Sequence, residues 1–430
     1  MLATFRPAAA LAAILLCTAC QTADPSLTVV DAPVGERSLA PRLTETSSGS
    51  AILSWLDVTE TGHRFVLAEF DGEHFGPARE VARGDNFFAN WADTPGVREA
   101  ADGRWLAHWL VRSGRGTYAY DVVMTLSEDR GVTWSEPFSP HNDGTLTEHG
   151  FVSTFLAPGT ASAIGAVWLD GRETEPAAED RDHDHGEHHH HGAGAMTLRT
   201  ATINGSGQVD NGTLLDDRVC DCCTTASAVT NNGVVVVYRD RSPEEIRDIH
   251  IVRQTETGWS KGTPVHRDGW QIAGCPVNGP DVIARGQQVF VAWFTLADDQ
   301  ARVQLASSED GGVTFSEPQV FDKNIALGRV DLRWIDDGFV LSWISQTSGS
   351  AVWRLARFDS DGELIQEGNL RTLDRGRVSG IPHVMAGDED SLWVTWTESR
   401  GDPAGPQVQF GRVQLDAIKE PHLETPTADH

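Results

Sequence analysis

The chain has 430 residues, and its 62 acidic against 34 Lys and Arg residues give a formal charge of −28. That length suits two average domains or one large all-β domain. The charge argues against nucleic acid as a partner, because phosphate binding needs a basic patch, and against broad adsorption to anionic lipid.

In chain order, the first segment reads as a targeting signal. Arg6 supplies a positive start, Ala8 to Leu16 is a short apolar run, and Leu16-Cys17-Thr18-Ala19-Cys20 has the form of a bacterial lipoprotein cleavage site. Residues 1–19 are thus expected to be removed, with Cys20 as the lipidated first residue of the mature protein. An ordinary secretory signal is the alternative. Residues 20–38 would be an anchor linker, with Leu27-Thr28-Val29-Val30 available as a closing strand. The predicted location is the cell envelope: lipid-anchored to a bacterial membrane, on the periplasmic face of the outer membrane or on the cell surface. Disulfides are permitted there.

A repeat emerges when the aromatic residues are aligned. Apolar strand patterns end at Trp55, Trp109, Trp168, Tyr238, Trp293, Trp343 and Trp396, spaced 54, 59, 70, 55, 50 and 53 residues apart. Seven such units predict an all-β fold, a β-propeller of seven four-stranded blades over residues 39–415. Six blades with an extra hairpin is the alternative. A disordered tail is expected over 416–430.

Two turns share a signature. Ser127-Glu128-Asp129-Arg130-Gly131-Val132-Thr133-Trp134 and Ser308-Glu309-Asp310-Gly311-Gly312-Val313-Thr314-Phe315 both match S-x-D-x-G-x-T-aromatic. They resemble the Asp-box (BNR repeat) of the sialidase-like propeller superfamily. The turn chemistry supports a structural role: Asp bonds backbone amides, and Gly takes a conformation closed to other residues. The resemblance implies a propeller with one functional face, built from loops entering each first strand and leaving each second strand. Mapped onto the repeat, that face collects Asp170, Arg172, Arg239, Asp240, Arg241 and Arg400, candidates for binding or cleaving a glycan. The sialidase pattern itself is incomplete. No Phe-Arg-Ile-Pro motif stands near the start. Of the three tyrosines, Tyr238 falls at a packed repeat position, and Tyr118 and Tyr120 flank a third strand.

The cysteines are a sharper signal. Cys220, Cys222 and Cys223 open the fourth unit and Cys275 opens the fifth, at equivalent places on the same face. They fit a soft or borderline metal site for copper or zinc. They also fit disulfides, or one bridge from Cys275 with two spare thiols. Between the third and fourth units lies an insertion, residues 173–194, rich in His and Asp; His183, His185, His188 and His189 are candidate ligands for divalent ions. The leading reading is an envelope lipoprotein holding copper or zinc through these cysteines. The alternative is an exo-acting, sialidase-type glycoside hydrolase or a glycan-binding propeller with oxidised cysteines. A further envelope protein partner is a third expectation.

Overall fold

The computed structural model describes residues 27–174, 194–347, 349–388 and 390–418. The predicted leader, Cys20 and the His tract 183–191 lie outside them. The chain forms seven antiparallel sheets arranged as propeller blades. Their innermost strands are Ser38–Glu45, Gly96–Glu99, His149–Leu156, Ala226–Thr230, Asp281–Arg285, Ala326–Ile335 and His383–Ala386. Blade 2 has three full strands, with a single bridge between Met124 and Phe138 on its outer side. Leu27–Val30 pairs with Pro406–Gln414, so the start of the described chain forms the outer strand of blade 7. That closure leaves no open edge between first and last blades. The packed body continues past residue 415: Leu415 and Ile418 are buried against blades 6 and 7, so the predicted tail begins at least three residues too early.

The repeated aromatic has a repeated job. Trp55, Trp168, Trp293, Trp343 and Trp396 are all fully buried, each contributing on the order of 3 kcal/mol from area removed from water. A buried indole N–H needs an acceptor. Trp55 donates to Asp57 at 2.7 Å, Trp168 to Asp170 at 2.8 Å, Trp293 to Asp268 at 2.7 Å and Trp343 to Asp322 at 2.6 Å.

Both Asp-box turns fold as the local chemistry predicts. Asp129 Oδ1 accepts from the Thr133 amide at 2.8 Å and Asp310 Oδ1 from the Thr314 amide at 2.9 Å, while the Thr hydroxyls bond the second oxygens. Gly131 and Gly312 have φ of 78° and 82°, a region that disfavours a side chain.

The innermost strands are irregular in a shared way. Ala40, Phe151 and Arg329 have φ of 55°, 55° and 58°, beside register shifts in blades 1, 3 and 6. Each is a bulge that resets which residues face the axis.

Candidate functional site

The cysteines lie at the end of the axis where the innermost strands begin. Cys222 and Cys275 form a disulfide with Cα atoms 5.9 Å apart. Cys220 and Cys223 remain thiols, buried, with sulfurs 3.4 Å apart. This corrects the four-thiolate metal site: two of its ligands are bonded to each other, and a disulfide sulfur is no thiolate. The arrangement is one bridge from Cys275 with two spare thiols. Arg247 donates to Cys220 Sγ at 3.2 Å. Burial alone would raise the Cys220 thiol, but the Cys223 S–H and the Arg247 and Arg239 guanidinium groups outweigh it, bringing Cys220 down to about 6. Burial and the neighbouring Cys220 push Cys223 up. Cys220 is therefore the more acidic thiol of the pair.

The arginines proposed for the glycan face do not converge. Arg239 is 2 % exposed and donates to three backbone carbonyls, those of Asn278, Arg247 and Phe294. Its guanidinium also lies over the Trp270 ring, 4.8 Å from the centroid. Arg241 pairs with Glu245 and Asp221. Arg172 grips Asp170 with two bonds of 2.7 Å. Arg400 bonds the carbonyls of Glu36 and Ala404. Asp170 is fully buried, accepting from the Trp168 indole and from Arg172. Asp240 belongs to a different group, 3.6 Å from His250, with its carboxyl raised to about 7 by burial and then by Asp216.

Trp91, Val277, Ile381 and Cys222 pack onto the core shared by blades 3 and 4. Arg329 lies 4.6 Å from the Trp91 ring centroid and bonds Ser379 and Gly380. Beyond these residues lies a cavity of about 600 Å³ lined by residues of all seven blades. The exposed residues of its wall are Glu45, Ser47, Ala101 and Leu156. All stand at or just past the C-terminal ends of innermost strands, so the cavity opens on the face opposite the cysteines.

Three arginines line this cavity: Arg42, Arg98 and Arg333. Arg333 is neutralised by Asp281 at 3.1 Å and Asp331 at 2.8 Å. Asp331 is held in turn by His383 at 3.0 Å. Arg98 donates to the Thr154 carbonyl and hydroxyl. Among the described residues, no carboxylate stands within 4.0 Å of Arg42 or Arg98. Burial, and then Arg333, lower Arg42 against Asp281, Asp331 and Asp93; burial, and then Arg42 and Arg333, bring Arg98 down to about 10, still charged at neutral pH. His108 lines the same wall, kept neutral by burial at about 3, with its Nε2 unpartnered.

Asp93 stands on this wall too. Burial raises it to about 7, against the pull of the Phe151 amide, the Tyr120 hydroxyl and Arg42. The Tyr120 hydroxyl lies 3.1 Å from Asp93 Oδ2 and 2.7 Å from Glu148 Oε1. A Cβ on Gly150 would meet Asp93 Oδ2 at 2.1 Å, so only glycine allows this approach. The set has the residue types of a tyrosine nucleophile with its carboxylates. Tyr120 is nevertheless fully buried, and burial followed by Asp93 and Glu148 pushes its phenol well above 10. Tyr118 is half exposed on the surface, and Tyr238 is a core residue.

The sequence reading missed Arg42, Arg98, Arg333 and Tyr120. A signal was present for Arg42 and Arg333, whose immediate neighbours in a first strand are apolar (Pro41 and Leu43, Leu332 and Trp334); Arg98, followed by Glu99, carried none.

No protein-family model and no curated protein matches the chain. Among solved structures, the chain is similar to a protein of unknown function from Dyadobacter fermentans DSM 18053, with a TM-score of 0.52 and 14% identity over 92% of this chain and 100% of that one. An α-L-arabinofuranosidase from Fusarium graminearum gives 0.48 and 13% over 92% and 99%. A Hadza microbial sialidase gives 0.47 and 12% over 84% and 75%. At these identities the likeness is one of fold alone, a β-propeller.

Proposed function

We propose that this protein binds a small anionic, hydroxyl-rich ligand, of the carboxylated-sugar class, in the axial cavity. One observation carries the reading: in a chain of charge −28, the cavity wall presents Arg42 and Arg98 with no carboxylate within 4.0 Å among the described residues, although Asp93, Asp281 and Asp331 stand further off on the same wall. A guanidinium facing a cavity is suited to grip a carboxylate through two parallel bonds. The volume of about 600 Å³ is in the range of small-molecule sites. His108 Nε2 and the Thr154 hydroxyl supply neutral partners for sugar hydroxyls. The cysteines then serve the opposite end as a cross-link and a buried thiol pair, and the envelope location remains part of the proposal.

The test is calorimetric titration of the purified chain with uronic and sialic acids and their neutral analogues. Binding of the acids only, weakened about ten- to a hundred-fold by Arg42→Ala, is the expected result. Equal binding of neutral sugars, or an unchanged Arg42→Ala, would sink the reading.

A second reading, hydrolysis, is favoured by Asp93. Its carboxyl lines the cavity and stays protonated to about 7 through burial, the state a proton donor to a leaving oxygen requires. Asp93→Asn should then abolish release of a chromogenic aglycone while leaving binding intact.

A further inference from the structure

The four cysteines at the end of the axis away from the cavity form two pairs of unequal exposure. In the bridge, Cys275 is exposed and Cys222 is half-buried. Cys220 and Cys223 are thiols of the interior, 1 % and 2 % exposed, with sulfurs 3.4 Å apart. Their spacing is C-x-x-C, and a turn at Asp221 and Cys222 folds the two thiols onto each other. A β-turn holds its first and fourth Cα atoms within about 7 Å, which suits a disulfide between them. The same turn carries Cys222, so the Cys220, Cys222 and Cys223 sulfurs all lie within 4.8 Å of one another. A dithiol beside one sulfur of a disulfide is the arrangement that exchange requires, because a thiolate opens a disulfide by attacking one of its sulfurs.

The surroundings separate the tasks of the two pairs. Arg247, itself 2 % exposed, donates to Cys220 Sγ at 3.2 Å, and a guanidinium at that distance favours the thiolate. Cys220 is thus the nucleophile of the inner pair, and Cys223, in contact with it, is placed to resolve the mixed disulfide. Cys275 sits on a lightly held segment. At one end Ile272 donates to the Glu245 carbonyl; at the other the Asn278 carbonyl accepts from Arg239 and its side chain from the Arg329 amide. Between them, among the described residues, 273–277 make no backbone–backbone hydrogen bond. That slack lets Cys275 withdraw once its bond opens.

We propose that these cysteines are a thiol–disulfide exchange site, which passes two electrons from the inner pair, Cys220 and Cys223, to the outer pair, Cys222 and Cys275, and from there to a disulfide-bearing substrate at the surface. The Cys220 thiolate attacks Cys222 Sγ. A Cys220–Cys222 bond forms, the Cys222–Cys275 bond breaks, and Cys275 leaves as a thiolate that takes a proton from solvent. Cys223 then gives up its proton and attacks Cys220 Sγ. A Cys220–Cys223 bond forms, and Cys222 leaves and is protonated. One disulfide and two thiols stand on each side, so no oxidant enters. The outer dithiol now meets solvent. Cys275 attacks an external disulfide and Cys222 attacks the resulting mixed disulfide. The substrate leaves as two thiols, and the outer bridge is restored beside the inner one. An external dithiol reloads the site: it reduces the outer bridge and is itself oxidised to a disulfide, and the internal exchange run backwards returns the inner pair to thiols. The site is independent of the anion-binding reading, because none of the four cysteines lines the axial cavity.

The experiment uses the full chain, exported to an oxidising compartment, purified without reductant and incubated in the native state with N-ethylmaleimide. After acid quenching and digestion without reduction, mass spectrometry maps every cysteine. Exchange exposes the outer pair as thiols, so the expected product carries maleimide on Cys222 and Cys275 and a Cys220–Cys223 disulfide. An intact Cys222–Cys275 bridge, with maleimide on Cys220 and Cys223 or on neither, would overturn the site. Cys220→Ser should abolish labelling of Cys275, and labelling at the wild-type rate would equally overturn it. Cys223→Ser should stall with Cys275 labelled and a Cys220–Cys222 disulfide. For transfer to a substrate, the probe is insulin reduced by dithiothreitol. The chain should speed that reduction at least about ten-fold, and Cys275→Ser should remove the gain. No acceleration would overturn the outward step.

Discussion

Arginine serves opposite purposes at the two ends of the propeller axis. At the cysteine end, Arg239 and Arg329 are bonded to backbone carbonyls and laid over tryptophan rings. At the other end, Arg42 faces a cavity with no carboxylate within 4.0 Å among the described residues. What separates a structural arginine from a binding one is whether the protein already satisfies its five donors, not its place in the repeat. The arginines gathered by the loops at the cysteine end are bonded within the protein, while the cavity is lined by arginines of the innermost strands.

The contrast predicts a graded set of effects. Arg239→Met should be the most damaging change, because it strands three buried carbonyls; a loss of about 3–5 kcal/mol is expected in urea unfolding. A loss under about 1 kcal/mol would mean that the cysteine end is not held by this residue. Paired Cys222→Ser and Cys275→Ser should follow. The bridge spans a separation of 53 residues, for which chain entropy gives about 4 kcal/mol as an upper expectation. Arg42→Ala should change stability by less than about 1 kcal/mol while removing anion binding, and a large stability loss would erase the distinction between the ends.

The pH dependence carries effects of opposite sign. The Thr133 hydroxyl and amide lower Asp129 to about 2; burial would raise Asp310, but the Thr314 hydroxyl and amide with the Ser308 hydroxyl outweigh it and lower Asp310 to about 2. Both lie below the ordinary 3.8, so their contribution is present above pH 3.8 and is lost as pH falls towards 2. Asp93 lies above its ordinary value, at about 7. Its contribution is complete below pH 3.8 and is lost as pH rises through 7. Unfolding of Asp93→Asn followed from pH 4 to pH 8 should lack that decline. The double variant Asp129→Asn with Asp310→Asn should lose part of the acid limb only.

Much of the fold could be read along the chain. The Trp55-to-Trp396 repeat encodes blades because each strand must bury one face, and its period is local. The Asp-box turns are equally local: Ser, Asp, Gly and Thr satisfy one another within eight residues. Cys222 and Cys275 were legible as a pairing option but not as a choice, since spacing cannot tell a bridge from a ligand set. Tyr120 was passed over because its position on a third strand hides how close it comes to Asp93 and Glu148.

The sequence by itself determined the propeller repeat, favoured seven blades over six, and marked the structural turns and the residues that open each blade. These follow from hydrophobic period and short-range hydrogen bonding. Only the tertiary structure decided which charged residues meet. The bulges at Ala40, Phe151 and Arg329 shift the two-residue alternation within the innermost strands. The direction in which Arg42, Asp331 and Arg333 face is therefore set by pairing with a neighbouring strand. His141 and His149 likewise stack because ring closure brings the blade 2–3 connection against the next innermost strand, a contact that neither segment specifies alone.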